Sequence, residues 1–203
     1  MTNGVRAGVV DWTGDNPFVY LKTDPSGDWS SLSLFFRVVF SDKGRGNVIL
    51  VLENPYDPER EGRRVCLTDN VPLAHDLIER FVKRFGLFRP AHAALAKMEI
   101  IGDATFSVSH SYPGFATEYA ETADGRSASL TWRDLQTPFA ADVPANQTQT
   151  LEHVMLSIFQ PASSAEVRVN GEVLPGSTVE RDFFGGRAQS AALAHSETWI
   201  KAE

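Results

Sequence analysis

Three side chains suited to acid–base chemistry lie at positions expected to turn inward: His110, His195 and Glu197. From Thr105 to Tyr112 the residues alternate, with Phe106, Val108, His110 and Tyr112 on one side and Thr105, Ser107, Ser109 and Ser111 on the other. Gln189 to Ile200 alternates in the same way, setting Leu193, His195, Glu197 and Trp199 against the smaller Ser190, Ala192, Ala194 and Ser196. The larger, more apolar face of each strand should point to the core and carry its polar members with it. A buried polar group costs about 1–3 kcal/mol unless it is hydrogen-bonded, so partners or a wet cavity must satisfy these three. Two roles are open to them. As core residues, the histidines bond to backbone or to Glu197, or the inward face belongs to the opposite register. As site residues, His110, His195 and Glu197 orient a ligand or move a proton, since histidine titrates near neutral pH. Phe106, Val108, Tyr112, Leu193 and Trp199 would then form the apolar walls.

Other combinations are weaker. His195 and Glu197, two residues apart, could ligate an ion with His110 as third donor. However, the chain has no HExxH, no His-x-His and no carboxylate-rich loop, and the expectation is no metal and no cofactor. His75 and Glu79 have helical i, i+4 spacing, which more commonly makes a local hydrogen bond than a metal site. Asp182-Phe-Phe-Gly185-Gly186-Arg187 reads as a flexible turn before a strand, with an anion-binding nest as the alternative. Gly-x-Ser-x-Gly is absent, Cys66 has no motif beside it, and no glycine loop cradles a phosphate. Trp12, Trp29 and Trp132 read as core aromatics rather than a sugar-stacking surface.

The elements that position these residues are mostly strands. Phe18–Leu21, Leu34–Phe40 and Val48–Leu52 are rich in aromatic and β-branched residues, and the last two flank a glycine-rich turn. Asn54–Arg64 carries two prolines and six charges and reads as a solvated loop before a short strand at Arg64–Thr68. Asp69 or Asn70 can cap a helix with Pro72 in its first turn. Leu73, Leu77, Ile78, Phe81, Val82 and Phe85 form its apolar face, and Gly86 ends it. A shorter helix is expected over Pro90–Lys97. Thr117–Thr122 and Ala128–Leu135 pair across a turn at Ala123–Gly125, Thr137–Gln149 reads as loop, and Leu151–Phe159 as strand. Asn170-Gly171 marks a type I′ hairpin between Glu166–Val169 and Glu172–Leu174.

The resulting expectation is a mainly β (α+β) chain, an antiparallel β-barrel or β-sandwich, lipocalin-like in architecture, with a helical hairpin inserted mid-chain. It forms a single domain over 1–203, with β halves at 5–68 and 103–201 and helices over 70–98. Thirteen Phe and four Trp supply a core, and the net charge of −7, spread along the chain, disfavours nucleic acid. The longest apolar run, Val48–Leu52, cannot span a bilayer, and Met1–Val10 does not read as a secretory signal. One cysteine excludes an internal disulfide and suits the cytoplasm. Asn146-Gln147-Thr148 matches a glycosylation sequon that a cytoplasmic chain would not use. These features favour binding of a small, largely apolar molecule in an interior pocket. The alternatives are an isomerase, cyclase or hydrolase using His/Glu chemistry there, and a structural or interaction module, with a homo-oligomer fitting the last.

Overall fold

The computed structural model describes residues 6–201. The expected boundary at residue 5 and the start of the Met1–Val10 segment lie outside the described residues. The strands are β1 (Val9–Asp15), β2 (Phe18–Leu21), β3 (Ser31–Ser41), β4 (Gly46–Glu53) and β5 (Arg64–Thr68). After helices α1 (Val71–Arg80) and α2 (His92–Leu95) come β6 (Glu99–Ile101), β7 (Thr105–Ser111), β8 (Phe115–Glu121), β9 (Ser127–Leu135) and β10 (Phe139–Val143). The chain closes with β11 (His153–Val169), β12 (Glu172–Val173), β13 (Glu180–Phe183), β14 (Gly186–Gln189) and β15 (Ala191–Lys201).

The protein is mainly β, and the pairing path runs β6-β5-β4-β3-β1-β15-β11-β9-β8-β7. β6 and β7 stand at its two ends and no ladder among the described residues joins them, so the expected barrel closure is absent from the pairing pattern. The path instead bends at β11. Its first part, through Pro161, pairs with β15, and from Ala162 onward it pairs with β9. Two arms of sheet are thereby laid face to face. Val19, Phe35, Ile49 and Leu67 of one arm share a core with Ala120, Leu130, Trp132 and Val167 of the other. The Trp132 indole donates to the Phe18 carbonyl across that gap at 2.9 Å. On the outer face of the first arm, Trp12, Leu34, Leu50 and Cys66 pack against Leu73, Leu77, Phe81 and Phe88 of the helical segment. Residues alternate between these two cores along β3 and β4, which explains why both strands are buried on both faces.

The helical segment expected as a mid-chain hairpin serves as the crossover between two neighbouring strands, β5 and β6. β5 and β6 are parallel, and parallel neighbours require such a connection. Asn70 caps α1, its side chain accepting from the Leu73 amide at 3.1 Å, and Pro72 occupies the first turn. The α-helix ends at Arg80, and the rest of the predicted apolar stripe continues in a 3₁₀ turn over Val82–Arg84. The predicted loop over 137–149 contains β10, an edge strand on β11 whose alanine-rich sequence carries little β signal. The Asn170-Gly171 turn has both residues at positive φ (51° and 80°), as type I′ requires.

Candidate functional site

β15 departs from plain alternation at one residue, and that departure builds the site. Leu156 of β11 opposes Thr198 while Ile158 opposes His195, so Ser196 and Glu197 together face the single residue Ser157. Ser196 sits at φ +52°, the conformation of an extra residue in a β-bulge. The bulge shifts the side-chain phase by one. Leu193 packs into the core between the arms, with His195 on the same side by alternation, whereas Trp199 joins the core on the helix-covered face. The face expected to carry Leu193, His195, Glu197 and Trp199 together is therefore split in two.

The bulge is held from both sides of the strand. The Ser196 amide donates to Asp15 Oδ1 at 3.1 Å, giving a bond to a donor that the ladder leaves unpaired. Asp15 also faces Arg37 at 3.5 Å, and Arg37 bonds the buried Glu118 at 2.7 Å. On the other face, Gly14 opposes Glu197, and β3 approaches so closely there that a Cβ on Gly14 would lie 1.9 Å from the Arg37 carbonyl oxygen. Asn16 follows immediately. Its Nδ2 donates to Glu197 Oε1 at 2.9 Å, and the Trp199 indole donates to the same oxygen at 2.7 Å. Glu197 is buried, and that burial, opposed by the bonds from Asn16 and Trp199 and by the nearby Ser157 hydroxyl, raises its pKa from 4.5 to about 7. The Ser157 hydroxyl lies beside the carboxyl and helps to hold its pKa down, but its oxygen forms no hydrogen bond of ordinary geometry.

Glu197, Asn16 and Trp199 line a cavity of about 220 Å³ between the sheet and the helical segment. Phe85 and Phe88 wall it from the helical side, and Phe18, Tyr20, Met155 and Phe159 from the sheet. β13 and β14 form a hairpin across it. That hairpin turns at Phe184 and Gly185, both at positive φ, so the Asp182–Arg187 segment is the turn of the two sequence readings. It brings Arg181 over three rings, with its guanidinium carbon 4.8 Å from Phe183 and 5.3 Å from both Phe18 and Tyr20. Burial lowers the Arg181 pKa and raises that of the Tyr20 hydroxyl. Among the described residues no carboxylate lies within ion-pair distance of Arg181. Its Nε is buried without a hydrogen-bond partner.

Of the residues expected at a site, Glu197 and Trp199 meet in this cavity and the others do not line it. Phe106 packs on Phe35, 6.1 Å between ring centres, between the two arms. Val108 on the edge strand β7 and Tyr112 just past its end are exposed, at 53% and 52%. His110 is exposed beside Tyr112 at 5.6 Å, and His195 is half-buried. His110, His195 and Glu197 form no triad, and among the described residues no three His, Cys, Asp or Glu side chains gather as metal ligands. Glu79 pairs with Lys83 rather than with His75.

Arg181 and Asn16 escaped the sequence reading, as did His153. His153 is buried, bonded to Asp11 at 2.6 Å and to the Thr150 hydroxyl at 3.0 Å, with Arg80 completing the ion pair to Asp11. It pins the end of the segment before β11 and backs Trp199 at 5.9 Å. Alternation along β11 does carry that signal, with His153, Met155, Ser157 and Phe159 buried on one side. Arg181 and Phe183, two apart on β13, carry a similar one. No protein family, characterised protein or solved structure was found to match this chain.

Proposed function

We propose that the protein binds a small, largely apolar molecule bearing one anionic group, seated in the helix-covered cavity with that group on Arg181. The observation that carries this reading is the half-buried Arg181 guanidinium, which donates to the Asp182 carbonyl oxygen at 3.3 Å but has no carboxylate partner among the described residues. A charge removed from water without a counter-charge is unfavourable, and an anionic ligand supplies the missing partner. Aromatic walls with a few convergent polar groups are the usual composition of a small-molecule site. The reading keeps the lipocalin-like idea of one apolar ligand held on a β scaffold, but moves the pocket from between the strands' inner faces to the face under the helices. One chain provides every wall, so an oligomer is not needed for binding. Cys66 is buried with its thiol pKa pushed up to about 12, which suits a cytoplasmic protein with no disulfide chemistry.

Calorimetry with octanoate and 1-octanol tests the proposal. Octanoate should bind at least about tenfold more tightly, and Arg181→Gln should remove that preference. Equal binding of the alcohol, or failure of short apolar acids to bind at all, would overturn it. Glu197 supports a second reading, acid–base catalysis on the bound molecule, because a carboxyl near neutrality beside a cavity suits a proton-transfer group.

A further inference from the structure

Buried polar atoms without partners are not scattered evenly over this molecule. Eight side-chain atoms among the described residues are in that state, and three of them, Asn16 Oδ1, Ser157 Oγ and Arg181 Nε, belong to or adjoin the same cavity. Native proteins satisfy nearly all such atoms, so a cluster of exceptions marks where something else completes the bonding.

The two ends of the cavity ask for different chemistry. Arg181, half-buried on the β13–β14 hairpin, offers only donors. Asn16 and Glu197 line the floor, and Ser157 lies beside the Glu197 carboxyl, each of the three less than a tenth exposed. Asn16 points its amide nitrogen at Glu197 Oε1, so its orphan atom is the carbonyl oxygen, an acceptor that only a donor can satisfy. The Trp199 indole occupies the same carboxyl oxygen, which leaves Oε2 without a bond from Asn16 or Trp199. Ser157 adds a hydroxyl beside it. A ligand hydroxyl matches this floor, donating once to Asn16 Oδ1 and accepting once from Ser157 or from the protonated Glu197. A carbonyl could not donate, and an ammonium would bring three donors and a charge to a floor with one orphan acceptor.

We infer that the natural ligand is an apolar hydroxy acid, its anionic group on Arg181 and its hydroxyl received by Asn16, Glu197 and Ser157 at the floor. This rests on the anion-binding reading above and specifies its second anchor.

The test uses the unmodified chain and two matched pairs, octanoate with 8-hydroxyoctanoate and 3-phenylpropionate with 3-(4-hydroxyphenyl)propionate, titrated by calorimetry. In at least one pair the hydroxyl should tighten binding by about tenfold or more, since a site built around a hydroxyl leaves its own groups unpaired when the analogue lacks it. Asn16→Leu should erase that ratio. Arg181→Gln should weaken both members of a pair equally and leave the ratio standing. If the parent acids bind and the hydroxyl adds nothing in either pair, the hydroxy-acid inference is overturned while the anion reading survives. If none of the four acids binds, both are overturned.

Discussion

Replacing Glu197 by Gln should flatten the pH dependence of stability over a defined window, and the structure sets its size. The carboxyl is raised from 4.5 to about 7 by burial, with Asp15 adding a smaller push. Among the described residues no cation lies within ion-pair distance to oppose this. A raised folded-state pKa means that the native protein holds this proton more tightly than the unfolded chain. The stability so gained is complete below pH 4.5 and is lost as the pH rises through 7. At about 1.4 kcal/mol per pH unit, the whole loss is on the order of 3 kcal/mol. Glutamine has the shape of the protonated acid and can still accept from Asn16 and Trp199, so E197Q keeps the geometry and removes the titration. Urea unfolding of both proteins at pH 5, 6, 7 and 8 measures the effect. The variant should gain about 2–3 kcal/mol on the wild type across that range, with unchanged denaturant slopes. A difference that stays constant within about 0.5 kcal/mol would refute the burial argument, because other titrating groups contribute equally to both proteins.

Two further substitutions probe the backbone that presents Glu197. Gly14→Ala places a methyl against the Arg37 carbonyl and should lower stability by about 2–4 kcal/mol or prevent folding; circular dichroism and urea unfolding would report it, and a neutral result would show that β1 and β3 can separate there. Ser196→Gly should be neutral to about 1 kcal/mol stabilising, whereas Ser196→Val should lose about 1–3 kcal/mol, because φ +52° strains a β-branched residue; the opposite order in thermal unfolding would deny the bulge its left-handed residue.

What local sequence decides, it decides here for physical reasons confined to a few neighbours. Asn70 and Pro72 start a helix whose apolar stripe follows from 3.6-residue spacing, and Asn170-Gly171 can hardly do otherwise than turn at positive φ. Strands β2, β3, β4, β5, β8 and β9 were likewise legible, because each contrasts a β-branched or aromatic run with polar turns. β10 was not, since an alanine-rich edge strand owes its conformation to β11 beside it. The site depended still more on neighbours. Period-two alternation assumes an unbroken ladder, and the extra residue at Ser196 exists because β11, Gly14 and Asp15 hold it there from other parts of the chain. It turned Glu197 and Trp199 away from His195 and Leu193, and toward Asn16 and an arginine carried in on a hairpin. His110 kept its place in the alternation but sits on an edge strand, and position in a sheet is a property of the pairing order rather than of any one strand. Residue types along this chain therefore singled out Glu197 and Trp199, while the register of strands distant in sequence chose the face on which these two line a cavity with Arg181 and a set of aromatic rings from other elements.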